Sequence, residues 1–237
     1  GGNFTLANDA ALYVSGANNF PSNYITYTMD TIPSPGNSST VVYNGSVAQA
    51  VPAVSYGNLT FSGAGIKTFT ANGNTTVKGN FNVNTGANVD ASSGVISLWG
   101  NWVNSGTFTP STGTLLLYGT GKTITGNTTV NRITFYGSYT NSISDMTFNT
   151  SIKVVTGGSF NAGSDLMTIN GDYTNNGSTI SSGTITLPGT VLQTIRVQNA
   201  LQSTSNGIVN FNGTIAPVLN STTNTNFATV NINNTAG

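Results

Sequence analysis

Three aspartates and a lysine in the second half of the chain are the side chains whose types and spacing come nearest to chemistry. Asp145 and Asp165 lie 20 residues apart, and Lys153 and Asp172 lie close to them in the chain. Clustered acids beside a basic group serve in acid–base catalysis or in calcium binding. Isolated Asp residues more often occupy turns and bond to their own backbone. Because these stand in the short contexts ISDM, GSD and NGD, we predict turn positions, with no catalytic residue, cofactor site or metal ligand.

The composition removes most other groups that catalyse reactions. The 237 residues include six acidic and six basic side chains, no His and no Cys, and every acid is Asp. His is the usual base near neutral pH, and Cys and His supply most transition-metal sites. Zero net charge argues against nucleic acid as a partner. No apolar run approaches the roughly 18 residues of a membrane span, so direct membrane insertion is not expected.

Short strands are the secondary structure that the sequence predicts. Apolar and polar residues alternate with the period of a half-buried strand. The alternating pairs are Leu59 and Phe61, Phe81 and Val83, Leu115 and Leu117, Ile133 and Phe135, and Ile185 and Leu187. Gly-Asn, Asn-Gly and Ser-Gly pairs lie between them and tolerate the positive φ of tight corners. Asn side chains at such corners are also expected to stack their amides in ladders from coil to coil.

Internal similarity points to a repeat architecture. At an offset of 74 residues Gly45 matches Gly119, and at an offset of 71 Trp102 matches Tyr173. Apolar clusters recur every 18 to 25 residues, which favours the coils of a β-solenoid over tandem sandwiches of the immunoglobulin type. We therefore predict an all-β fold: a single elongated parallel β-helix of about ten coils over residues 1–237. Residues 1–40, which contain Pro33 and Pro35, and residues 198–237 are expected to be less regular.

Three aromatic residues are the candidates for contact with a ligand. Trp99, Trp102 and Tyr173 could together form a platform for sugar rings, because aromatic faces pack on apolar surfaces. Strand alternation places Trp99 and Trp102 on opposite faces, so one is expected in the core and the other outside. The match between Trp102 and Tyr173 favours a core or corner role for both.

The repeats also resemble a known group of proteins. The segments NYITYTMD, STVVYNGSVAQAV, YGNLTFSGAGIKTF, GNTTVKGNFNV, WGNWVNSGTFTPSTGTLLLYGTGKTITG and TTVNRITFYGS are similar to the repeats of large bacterial cell-surface and gliding adhesins of the Bacteroidetes type. That resemblance implies parallel β-helix repeats within a longer exported chain that is displayed outside the cell, with delivery by the type IX secretion system.

A non-enzymatic structural and adhesive segment is therefore the expected function, in the form of a stiff rod on the bacterial cell surface. The expected partners are a surface or polysaccharide ligand and further copies or continuing repeats of the same chain. Two alternatives stay open. One is a filament-forming surface protein, since exposed strand edges pair readily. The other is a carbohydrate-active enzyme of the β-helix kind, which would use the acids named above.

Overall fold

The strands of this protein are parallel and stack as a β-solenoid. The computed structural model describes residues 3–17, 26–29, 39–142, 144–197, 201–203, 207–221, 228–233 and 235. In these residues the regular secondary structure is all strand, with no helix, and makes about eight turns. The chain divides into two compact units, Gly1–Leu115 and Leu116–Gly237. Pro33 and Pro35, where the sequence predicts an interruption, lie outside the described residues.

The strands of the first unit are short. They are β1 (Asn3–Thr5), β2 (Ala11–Val14), β3 (Thr26–Thr28), β4 (Thr40–Tyr43), β5 (Gln49–Val51), β6 (Ser55–Tyr56), β7 (Asn58–Phe61), β8 (Ile66–Phe69), β9 (Asn74–Val77), β10 (Phe81–Val83), β11 (Asn88–Asp90), β12 (Val95–Leu98), β13 (Trp102–Asn104), β14 (Thr107–Thr109) and β15 (Thr114–Leu117), within which the unit boundary falls.

Successive turns of the first unit are in register. One ladder joins β2, β4, β7, β10 and β13, a second joins β5, β8, β11 and β14, and a third joins β6, β9 and β12. Leu59 aligns with Phe81, 22 positions later, and Phe81 aligns with Trp102, 21 positions later. The turns are β4–β6, β7–β9, β10–β12 and β13–β15. Their spacing confirms the coil length read from the apolar clusters.

Alternation along each strand creates the core of the first unit. Inward side chains such as Phe61, Phe81 and Val83 are fully buried, while their neighbours face outward, as the pleat of a strand requires. The Phe81 ring stacks on Trp102 with centroids 4.3 Å apart and lies 5.3 Å from Phe61. The ring of Phe108 meets Trp102 edge-on at 4.8 Å. Neighbouring turns therefore share one aromatic column.

The second unit repeats this construction with two longer strands. Its strands are β16 (Lys122–Thr125), β17 (Thr128–Phe135), β18 (Ser138–Ser142), β19 (Met146–Val154), β20 (Ser159–Asn161), β21 (Leu166–Ile169), β22 (Asp172–Asn175), β23 (Ser178–Ser181), β24 (Thr184–Leu187), β25 (Thr194–Val197), β26 (Leu201–Ser203), β27 (Ile208–Phe211), β28 (Val218–Ser221) and β29 (Thr229–Ile232).

In the second unit β19 is long enough to pair with two strands of the following turn. Its first half aligns with β21 and its second half with β22. β16, β18, β20, β23 and β26 form the opposite ladder. The turns are β16–β17, β18–β19, β20–β22 and β23–β25. Together with those of the first unit they give the eight turns, close to the predicted ten.

Glycine occupies the Gly-Asn corners for a reason other than the positive φ that the sequence predicted. Gly57, Gly79 and Gly100 precede β7, β10 and β13, and none of them has positive φ. A Cβ on Gly100 would instead overlap the carbonyl oxygen of Gly79. The backbones of successive turns approach too closely there for any side chain. Positive φ occurs at other corners, such as Gly86.

Candidate functional site

The three aromatic candidates do not share a surface. Trp102 is 0% exposed and Tyr173 is 2% exposed, whereas Trp99 is 39% exposed. Trp102 lies on the first strand of its turn and Tyr173 on the last strand of its own, so the match at 71 residues does not reflect equivalent positions, because turns differ in length. The expected division of Trp99 and Trp102 between surface and core is confirmed, although Trp99 lies at a corner after β12 and not on one strand with Trp102. Ligand contact by Trp99 stays a prediction.

Each aspartate of the candidate group is committed to a neighbouring turn. Asp145 Oδ1 accepts the backbone N–H of Leu166 at 3.1 Å, and Asp172 Oδ1 accepts that of Thr194 at 2.8 Å. Asp165 Oδ2 accepts the N–H of Ser144 at 3.0 Å. The sequence predicted turn carboxylates that bond to their own backbone. These carboxylates instead bond across one turn of the solenoid, and they hold adjacent coils together.

Asparagine plays the same part where no charge is present. Asn58 Oδ1 accepts the N–H of Asn80 at 2.8 Å, and Asn80 Oδ1 accepts the N–H of Asn101 at 2.9 Å. Asn127 Oδ1 accepts the N–H of Asp145 at 3.1 Å. These bonds run from side chain to backbone and satisfy a backbone donor at the corner before a strand. The predicted ladder of amide on amide is present elsewhere, where Asn231 Nδ2 donates to Asn210 Oδ1 at 2.8 Å.

Two buried polar side chains close one corner of the first unit. Gln49 and Lys67 align across β5 and β8. Gln49 Nε2 donates to the carbonyl oxygens of Val14 and Gly16 at 2.8 and 2.9 Å. Lys67 Nζ donates to those of Gly45 and Gly63 at 3.1 and 2.6 Å. Burial lowers the pKa of the Lys67 amine. Both side chains satisfy backbone carbonyls and have no room for a substrate.

The outer face of β17, β19, β22 and β25 carries a group of cations that sequence reasoning missed, because Lys153 was considered only beside the acids and Arg132 and Arg196 were not considered. Arg132, Lys153 and Arg196 are all exposed there. Lys153 aligns with Thr174, which aligns with Arg196, so the two cations stand in one column. Arg132 lies on the preceding strand, β17, two residues before Thr134, and Thr134 aligns with Lys153. The signal in the sequence was their spacing of one and two coil lengths, which has meaning only once the register is known.

A pair of stacked tyrosines borders this cationic face. The rings of Tyr118 and Tyr136 are nearly parallel, at 8°, with centroids 4.6 Å apart, and Tyr136 is 43% exposed. Tyr136 comes directly after β17 and continues the outward alternation of Arg132 and Thr134. Burial and the neighbouring Tyr136 raise the pKa of Tyr118. Cations and a flat aromatic surface therefore adjoin each other on one exposed sheet face.

A shallow groove runs over another sheet face of the second unit. Its volume is about 110 Å³, and hydroxyl and amide side chains of Ser138, Ser159, Ser178 and Asn161 line it. The three serines align with one another across β18, β20 and β23. Among the described residues no three acidic, His or Cys side chains are grouped so as to hold a metal ion.

Comparison with known proteins identifies no relative. No match to this chain was found among protein-family models, curated proteins or solved structures. The described part of the chain also lacks a helix with the length and apolar character needed to cross a membrane.

Proposed function

We propose that this chain is a non-enzymatic, extracellular structural and adhesive segment, which serves as a stiff rod on a bacterial cell surface. The observation that carries the proposal is that the acidic side chains are occupied in hydrogen bonds between turns. Asp145, Asp165 and Asp172 are the groups that a carbohydrate-active enzyme would need, and each accepts a backbone N–H from a neighbouring turn. Their positions differ too, since Asp145 and Asp165 precede β19 and β21 at one corner while Asp172 begins β22.

The outer surface supports the adhesive half of the proposal. Outward positions carry Ser, Thr and Asn in aligned columns, such as Ser138, Ser159 and Ser178. Hydroxyl and amide groups exchange hydrogen bonds with other hydroxyl-rich surfaces at little desolvation penalty. Each contact is weak, and repetition of the same groups on successive turns raises the total avidity.

The experiment compares the wild-type chain with a triple variant, Asp145→Ala, Asp165→Ala and Asp172→Ala, which removes both the acids and the hydrogen-bond acceptors. We expect neither protein to release reducing sugars from a panel of polysaccharides, and the variant to unfold several degrees lower. Each lost hydrogen bond to a charged acceptor contributes about 1 kcal/mol at such exposed sites. Sugar release by the wild type that the variant lacks would contradict the proposal. So would failure of beads coated with the wild-type chain to adhere to any polysaccharide-coated surface.

Filament formation is the second candidate, and one observation favours it. Every residue of β28 and β29 is exposed, at inward as well as outward positions of the strand. Leu219 is 48% exposed and Ile232 is 74% exposed. Apolar strands in this state pair readily with other strands. Sedimentation of the purified chain at rising concentration tests this: self-association that Leu219→Lys and Ile232→Lys abolish supports it, and a monomer at all concentrations contradicts it.

A further inference from the structure

We infer that the outer face of β17, β19, β22 and β25 binds an anionic polysaccharide, with Arg132, Lys153 and Arg196 pairing with its acidic groups and Tyr136 packing on a sugar ring. This assignment rests on the adhesive role proposed above and names the class of ligand for it. We call these four residues, with Tyr118, the cationic face.

Positive charge is concentrated on this sheet face. The chain carries only six basic side chains, and three of them project from this one sheet. Among the described residues, none forms an ion pair or a hydrogen bond with the side chains of Arg132, Lys153 or Arg196, which are exposed. Asp172 lies on the same sheet one strand beyond Ser151, and its Oδ1 is held by the Thr194 N–H. The face therefore keeps a net positive charge, although the chain as a whole has none.

The three cations are separated by distances that the strand register fixes. Strands in a sheet lie about 4.8 Å apart, so Lys153 and Arg196, with Thr174 between them, are separated by about 10 Å. Arg132 is displaced from Lys153 by one strand and two residues, which corresponds to about 8 Å. The three cations thus lie on the first, second and fourth strands of this ladder, and neighbouring cations are about 8 and 10 Å apart. A linear polymer that runs across the strands would meet all three.

The spacing of the cations fits an acidic polysaccharide better than a nucleic acid. A nucleic acid strand carries one phosphate per 3.4 Å or so, and its binding depends on many simultaneous phosphate contacts. Three cations about 8 to 10 Å apart cannot follow that charge density. They suit a polymer with sparser acidic groups. The guanidinium groups of Arg132 and Arg196 present two parallel donors to a carboxylate or sulfate.

The stacked pair of Tyr118 and Tyr136 adds a flat aromatic surface beside the cations. Tyr136 is stacked on Tyr118 and keeps 43% of its surface exposed, so its orientation is fixed before a ligand arrives. It lies two residues along and one strand away from Lys153. A flat aromatic ring beside a cation is suited to the apolar face of a sugar whose acidic substituent reaches the cation. A neutral polysaccharide would contact only the aromatic ring, and a polyanion without sugar rings would contact only the cations.

The test measures binding of the whole 237-residue chain by biolayer interferometry at low salt. The probes are polygalacturonate, dextran sulfate, neutral dextran and single-stranded DNA. The double variant Lys153→Gln with Arg196→Gln is compared with Lys78→Gln and Lys122→Gln, which remove the same charge elsewhere. We expect the first pair to weaken binding of polygalacturonate or dextran sulfate by about 2- to 30-fold, the fold-change for two exposed ion pairs. The control pair should change it by less than about twofold.

Binding of polygalacturonate alone would identify carboxylates as the groups recognised, and binding of dextran sulfate alone would identify sulfates. Tyr136→Ala should weaken binding at high salt as well, because ring packing is not screened. The inference is overturned if the two double variants behave alike, if DNA binds as tightly as the acidic polysaccharides, or if neither acidic polysaccharide binds. Adhesion of coated beads to neutral polysaccharides in that last case would leave the adhesive role standing.

Discussion

Removal of the Phe81 ring should uncouple neighbouring turns of the first unit. Phe81 is fully buried and lies between Phe61 on the preceding turn and Trp102 on the following one. Truncation of a buried Phe to Ala lowers the free energy of unfolding by about 3 to 5 kcal/mol, and the loss grows with the cavity that remains. Because the hydrogen-bonded ladders on both sides prevent collapse into that cavity, we expect Phe81→Ala to fall near the upper value.

The assay is urea unfolding followed by tryptophan fluorescence. The chain has two tryptophans, Trp99 and Trp102, and both lie in the first unit, so the signal reports that unit. Phe81→Leu keeps most of the volume and should reduce the unfolding free energy by about 1.5 kcal/mol or less. The reasoning is refuted if Phe81→Ala reduces it by less than about 2 kcal/mol, or if the two variants are equally stable.

Three further outcomes follow from the buried groups of the first unit and can be read with the same fluorescence signal. Burial, opposed by a hydrogen bond to Tyr56, raises the pKa of Tyr43 to about 12. Stability present below pH 10 should therefore decrease by about 3 kcal/mol as the pH rises through 12, and Tyr43→Phe should remove that loss. Burial lowers the pKa of Lys67, so the folded state binds fewer protons than the unfolded state just below pH 10.5; the unfolding free energy should rise with pH in that window, and Lys67→Met should flatten the rise. Gly100→Ala should reduce the midpoint urea concentration more than Gly86→Ala. A Cβ at Gly100 overlaps backbone, whereas the one at Gly86 meets nothing within 4 Å and adds only the smaller strain of a positive φ. Equal effects would contradict the close-approach argument.

The core was predictable from sequence because burial depends on alternation along single strands. The residues of pairs such as Leu59 and Phe61, or Ile133 and Phe135, are all buried as predicted. Coil length was predictable for a similar reason, since apolar clusters repeat once per turn. Both properties are local, and neither requires knowledge of which residue faces which across the ladder.

Properties that depend on register were not predictable. Asp145 and Leu166 are 21 residues apart, and their hydrogen bond exists only because one turn places them at the same corner. The turns vary in length, as the 18 positions from Val41 to Leu59 and the 22 from Leu59 to Phe81 show. A fixed offset therefore loses alignment after a few turns. This is why Trp102 and Tyr173 appeared equivalent and are not.

The same register explains how so few charges could define a binding face. Neutral Asn and a few Asp side chains hold the corners by hydrogen bonds from turn to turn. Among the described residues, none neutralises the side chains of Arg132, Lys153 and Arg196 on the outer strand face. Lys153 and Arg196 stand about 10 Å apart on the ladder, which is about one Debye length at 0.1 M salt, so a polyanion experiences them together. Rising ionic strength should accordingly weaken binding through the cationic face before it affects the stability of either unit.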